Sequence, residues 1–293
     1  MKTAGLLALL VGLVAVTTVA SPGVAAVLGD LGFSFRFSRV YNRVFEVLLV
    51  VAVAAGWRRL DLGRAREWGL VREGWRRDLA LGLAMGAVGI GTGLVVAWLG
   101  GGLVPALRFA PWKTLRKALL GVLGAGLIGL GEETLFRGIL LRRFTLDLGP
   151  RVGLLVTTGV FAMVHALRGS VKGLVTTGWL AGWARTATLF APLGDPVGWP
   201  GMAGLFGLGL VLAVVRRRTG SLWIAIGIHA AWVSVFRVGR LFFAIRHRPV
   251  WLVGPGWPPL VGGVAGLSAV IVTALVVRAC IAARPKSGSH MIA

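Results

Sequence analysis

Apolar positions dominate this chain in blocks long enough to cross a bilayer, on the order of 20 residues each, and short basic connections separate them. The blocks fall near residues 4–29, 40–56, 79–106, 118–141, 150–168, 200–215, 221–245 and 258–283. They predict an all-α, polytopic transmembrane helical bundle of about eight spanning helices. A further stretch at 172–194 contains Arg185 and ends at Gly194-Asp195-Pro196, a pattern compatible with spanning, lying flat or re-entering. If it does not span, the connections 57–78, 142–151 and 216–218 share one side with both termini. The positive-inside rule makes that side the cytoplasm, chiefly through the seven arginines between Arg58 and Arg77. The first apolar run continues past the small residues Ala20-Ser21 to about Leu28, which favours an uncleaved first helix over a signal peptide.

Composition agrees with the bilayer as solvent. Hydrophobic residues make up 56% of 293 positions, and the mean hydropathy is +0.83, more than a soluble core can hide. A net charge of +22 would suggest nucleic acid in a soluble protein. Here the basic residues lie mostly between apolar blocks, where they meet headgroups, so the expected partner is membrane lipid and no nucleic acid. The paired sequences Gly56-Trp57-Arg58-Arg59 and Gly74-Trp75-Arg76-Arg77 read as interfacial lipid anchors. Cys280 is the single cysteine, which excludes an intrachain disulfide and a cysteine metal site. The 45 glycines, spread through the apolar blocks, imply closely packed helices. The tail Ser287–Met291 resembles vector-derived sequence, so His290 is given no chemistry.

Against this background, ionisable residues inside apolar blocks stand out. Glu132 and Glu133 follow the run Ala118–Gly131 and precede Leu135, Phe136, Gly138 and Ile139. A charge at the bilayer centre costs about 2.5–3.5 kcal/mol on insertion scales, so such residues face the bundle interior and mark function. Glu133 and Arg137, four apart, stack on one helix face with the acid on the favoured N-terminal side. Glu132 points about 100° away from that pair and is the carboxylate available for reaction. The competing reading is a structural ion cluster that pins helix packing. The next apolar block holds Phe161 and His165, an aromatic wall and an imidazole on one face, and the helix opening at Ser221 carries His229 about two turns in. Three helices contributing polar groups to one place is a site pattern.

Together these residues resemble the CPBP family, which takes in type II CAAX prenyl endopeptidases, bacteriocin-processing proteins and related bacterial membrane proteases. Glu132-Glu133-xxx-Arg137 is similar to its first motif, Phe161-xxx-His165 to its second, and His229 to the His opening its third. The context Arg218–Trp223 before His229 is also similar, and softer likeness extends to Gly69-Leu70 and Leu79–Gly86. The resemblance implies a division into N-terminal helices with a basic interfacial loop (1–117), a catalytic core (118–236) and a C-terminal helix and tail (237–293). It implies that Glu132 and His165 activate a water, that His229 stabilises the oxyanion, and that Glu133 with Arg137 orients Glu132. The substrate would be a membrane-embedded or lipid-attached protein, and the location a prokaryotic cytoplasmic membrane. The preferred reading has no metal or other cofactor. Zinc is the alternative, on Glu132, His165 and His229.

One position departs from the pattern. The family has Asn or Asp four residues after the last His, where this chain has Val233, and valine donates no hydrogen bond. Ser234 would substitute only through a rotated or distorted helix. Two other functions compete: a transporter or channel using the same intramembrane charges, and a non-catalytic scaffold, for which Val233 is the best argument. A transporter is disfavoured by the absence of an internal repeat of the Glu-Glu segment.

Overall fold

The computed structural model describes residues 2–71, 73–166, 178–246, 249–255 and 260–282. Residues 172–177 of the ambiguous stretch and the tail containing His290 lie outside them. The described chain is helical almost throughout. Its elements are α1 (Lys2–Asp30), α2 (Phe37–Gly56), α3 (Trp75–Leu99), β1 (Leu103–Pro105), α4 (Pro111–Glu133), α5 (Leu141–Leu148), α6 (Pro150–Ala166) and α7 (Leu180–Gly194). They continue with α8 (Trp199–Thr219), α9 (Leu222–Phe242), β2 (Phe243–Ile245), α10 (Val250–Val253) and α11 (Val264–Ala282). A helix occupies each of the eight predicted blocks. Among the described residues, six spans are long and apolar enough to cross a membrane: Lys2–Asp30, Trp75–Leu99, Pro111–Leu148, Pro196–Thr219, Leu222–Phe242 and Val264–Ala282. Of the other two, α2 carries Arg39, Arg43 and Glu46 within 20 residues, and α6 has only 17.

The helix α9 is the axis of the bundle. Every residue from Ile224 to Trp232 is buried, because α9 lies between α3 and α4. Glycine makes those approaches possible. A Cβ on Gly227 would sit 2.5 Å from the Leu79 carbonyl oxygen and 2.7 Å from the Leu83 nitrogen of α3. On the α4 side, a Cβ on Gly129 would meet the Ile226 carbonyl oxygen at 3.1 Å. The helix α11 closes the far side of α3, where Ala265 and Thr273 cover Gly93 and Gly89.

One end of the bundle, here called basal, is tied by polar contacts. Thr3 donates through its backbone N–H and its hydroxyl to Asp147, each at 2.7 Å, and Arg143 bridges Asp147 and Asp61. Arg216 donates to the carbonyl oxygens of Trp68 at 2.7 Å and Glu67 at 2.8 Å, and Leu222 N–H donates to Gly69 O at 2.9 Å. The connections after α2, α5 and α8 therefore meet the N-terminus at one end, the arrangement expected if the stretch 172–194 does not span. The tryptophans of that loop pack on protein rather than on lipid alone. Trp57 and Trp68 rings lie 4.9 Å apart and Trp75 lies 5.3 Å from Trp223, while Trp75 itself and the adjoining arginines Arg58, Arg59, Arg76 and Arg77 are exposed. At the opposite, distal end, β1 and β2 pair antiparallel with Leu103 opposite Ile245, a contact no apolar pattern announces.

The ambiguous stretch contributes α7, which does not cross the bundle. Trp179, just before it, lies beside Gly23 near the distal end of α1, Gly182 packs on Thr18 and Pro22, and α8 restarts from the distal end.

Steric contact at the α3–α9 seam predicts a sharp contrast between two glycines. Gly227→Leu should lower the detergent melting temperature, at an overpacking cost of about 1–3 kcal/mol or more. Gly126→Leu, where a Cβ meets nothing within 4 Å, should melt as the unaltered chain does.

Candidate active site

The helix carrying the two glutamates changes pitch directly after them. Residues Thr134–Leu140 form a π-helical turn, shown by Leu141 N–H donating to Phe136 O, and the chain then returns to α-helix as α5. Such bulges concentrate at functional sites because they re-aim side chains without ending the helix. The pairing predicted across the turn survives: Arg137 Nη1 donates to Glu133 Oε1 at 2.8 Å, with both side chains at 0% exposure.

Glu133 serves a second partner that sequence spacing does not reveal. Its Oε1 lies 2.6 Å from His229 Nδ1. The carboxylate expected to steer its neighbour Glu132 instead holds the imidazole of α9. Arg137 is in turn fixed by the Gly209 carbonyl oxygen at 3.2 Å and by the Phe161 ring, whose centroid is 4.1 Å from Cζ. Phe161 is fully buried and also packs against His165, with centroids 4.2 Å apart and the rings tilted by 45°, so one aromatic ring supports both the guanidinium and an imidazole.

Glu132, His165 and His229 converge on the other side of this buried layer. One ligand-capable atom from each lies within 4.8 Å of the others. Glu132 Oε2 is 3.1 Å from His165 Nε2 and 3.8 Å from His229 Nε2. The Glu132 and His165 side chains are 17% and 15% exposed, against 0% for Glu133 and Arg137, which separates a reachable pair from a sealed one. Hydrogen bonding also fixes the rings. His165 Nδ1 lies 2.8 Å from Phe161 O, and a carbonyl can only accept, so Nδ1 carries the proton and Nε2 faces Glu132. His229 likewise spends Nδ1 on Glu133 and turns Nε2 toward Glu132. Sequence reasoning missed the Glu133–His229 bond and the Gly209 carbonyl, which join residues 96 and 72 positions apart.

Val233 lies one turn beyond His229 on the same face of α9. The helix is regular through Val233 and Ser234, so the distortion that would bring Ser234 onto the face of His229 is not present.

Residues 114–235 match a family model described as type II CAAX prenyl endopeptidase, Rce1-like. This segment is a CPBP-family domain. The match holds all six residues of the cluster: Glu132, Glu133, Arg137, Phe161, His165 and His229. No curated protein and no solved structure matches the chain. The CPBP domain is not packed by itself, since α3, outside it, walls its central helix, and α11, also outside it, packs on α3 and α8.

The donor set has the character of a zinc site: two imidazole Nε2 atoms and a carboxylate oxygen, with each Nδ1 held by an oxygen acceptor, the usual outer-shell arrangement of metal-binding histidines. If zinc binds this CPBP domain, Glu132, His165 and His229 would hold it, and it would lower the pKa of a bound water.

The sealed layer generates a stability prediction. Arg137→Leu leaves a buried carboxylate without its cation and should destabilise the protein by roughly 3–5 kcal/mol. Glu133→Gln combined with Arg137→Leu should recover part of that loss in thermal melts, because no uncompensated charge remains.

Proposed function

We propose that the protein is an intramembrane endopeptidase that hydrolyses a peptide bond in a membrane-embedded or lipid-attached protein. The observation that carries this reading is the convergence of Glu132, His165 and His229, from three helices, beside a layer that fixes their orientation. The CAAX-type endopeptidase family of residues 114–235 supports it.

In the proposed mechanism a water sits against Glu132 and His165. Glu132 takes its proton as the oxygen attacks the scissile carbonyl, and His165 Nε2, at 3.1 Å, shares that proton. The oxyanion forms toward His229. Because Nδ1–H is committed to Glu133, donation from Nε2 requires the doubly protonated ring, which would lie against the Glu133 carboxylate. The proton held by the Glu132–His165 pair then passes to the leaving amine. Each step uses a group already present, so the metal-free reading is preferred. Water reaches the site because the bundle interior is polar there, while the apolar flanks admit a hydrophobic substrate from the bilayer.

Glu132→Gln should abolish cleavage while leaving substrate binding intact, whereas a transporter would lose flux and a scaffold would lose little. Comparative proteomics of membrane-protein termini, in cells carrying the native chain or Glu132→Gln, should reveal a neo-terminus that depends on Glu132. Equal terminus profiles in the two strains would overturn the reading. A missing oxyanion donor lowers rate by ~10²–10³, so Val233→Asn should raise the rate constant for cleavage, measured in single turnovers on the substrate so identified. Cleavage should also survive a strong chelator, with no stoichiometric zinc in the purified protein by elemental analysis.

A further inference from the structure

Four arginines are buried among the described residues: Arg137, Arg143, Arg185 and Arg216. Three of them have strong acceptors. Arg137 has Glu133, Arg143 has Asp61 and Asp147, and Arg216 has two carbonyl oxygens at 2.7 and 2.8 Å. Arg185 is different. It is 3% exposed, yet its contacts are Thr188 Oγ1 at 3.4 Å and Asn42 Oδ1 at 3.5 Å, the outer limit of a hydrogen bond, and its Nε, like those of Arg137 and Arg143, is buried with no acceptor. The Tyr41 ring, 5.8 Å from Cζ, adds only a marginal cation–π contact. No carboxylate among the described residues pairs with it, and Glu46, one turn along α2 from Asn42, is held by Arg43.

A buried guanidinium with five donors and two long contacts calls for an anion. The surroundings indicate which one. Behind Arg185, the hydroxyls of Thr18, Tyr41 and Thr186 bond one another and tie α1, α2 and α7 together. In front, Asn42, whose Oδ1 is one of the two long contacts, is exposed on the lateral surface, so an anion there would meet Asn42 first and the guanidinium behind it. Asn42 is five residues from the distal start of α2, about 8 Å along a helix, which is the depth of the headgroup–acyl boundary, roughly 5–10 Å. Arg39, exposed and three residues before Asn42, lies on the same face and supplies a second cation.

We propose that Arg185, Asn42 and Arg39 form a binding site for the phosphate group of a membrane phospholipid on the distal side of the bundle. Two phosphate oxygens take the planar fork of Arg185, the Asn42 amide group turns to donate to the third acceptor, and Arg39 closes over the headgroup. The acyl chains run down the exposed apolar surface of α2 below Asn42, which includes Val50. The lipid would brace α7 against α1 and α2. The site is independent of the peptidase reading.

The test is native mass spectrometry of the delipidated full-length protein in detergent, titrated separately with phosphatidylglycerol, phosphatidylcholine, diacylglycerol and inorganic phosphate. One phospholipid of either headgroup should be retained per chain, and diacylglycerol and inorganic phosphate should not be. Loss of a charge-assisted contact predicts that Arg185→Met weakens retention by roughly ten- to a hundred-fold, and the exposed substitution Arg39→Ser by a smaller factor. If Arg185→Met does not fold, Arg39→Ser and Arg185→Lys carry the decision. Undiminished phospholipid retention in the folded variants overturns the site. Equal retention of diacylglycerol reduces it to apolar adhesion, and retention of inorganic phosphate at the same level replaces the lipid with a free anion. Either result overturns the lipid assignment.

Discussion

A single buried carboxylate organises the centre of this protein. Glu133 Oε1 accepts from Arg137 on its own helix and from His229 on α9, so two charged or chargeable partners are locked by one oxygen at zero exposure. Breaking a buried pair on one side leaves a charge that the apolar interior cannot solvate. The rotamers around it are therefore constrained together, and the partly exposed pair Glu132 and His165 is built upon that fixed floor.

The floor works only because helices approach one another closely enough to share it. His229 reaches Glu133 across the α4–α9 seam, where Gly129 lets α4 lie against Ile226 and Ala230. On the other side, Gly82 and Gly227 let α3 press α9 toward α4. Apolar packing gives no preference between protein and lipid tails, so in a bilayer this closeness must come from small residues and from the polar bonds they permit. Glycine content, pitch change and catalytic geometry are thus parts of one device: the seams set the spacing, and the π turn carries the chain from the two glutamates to the arginine that neutralises one of them.

Much of this was legible from residue order. Long apolar blocks announced the helices, because bilayer thickness fixes their length, and the Glu133–Arg137 spacing announced its own ion pair, because i,i+4 contact is local. Glu132, His165 and His229 were identifiable since each is a polar exception in an apolar run. What escaped was non-local or a small change of pitch. The His229–Glu133 bond depends on the rotation of α9 about its axis, which no period within α9 determines. The β1–β2 pair spans residues 103 to 245, and the interfacial tryptophans pack on each other because the loop folds back under Arg216. The path of α7 was undecidable from composition, since a 15-residue apolar helix with one arginine suits several placements.

Val233 sharpens how the charge of a tetrahedral intermediate would be carried. In the family pattern two side chains of α9, one turn apart, face the developing oxyanion. Here one of them is a methyl-bearing surface, and α9 is too regular to present Ser234 in its place. The stabilisation then falls on His229 alone. A neutral imidazole whose Nδ1–H is already given to Glu133 has only a lone pair at Nε2 and would repel an oxyanion. An imidazolium held by a carboxylate offers a charged donor aimed at the site, stronger than the neutral amide it would otherwise work beside. The sealed Glu133–Arg137 layer is therefore more than scaffolding in the proposed mechanism. By bonding Glu133 to both Arg137 and His229, it fixes a carboxylate beside the one residue left to do what the family pattern divides between two.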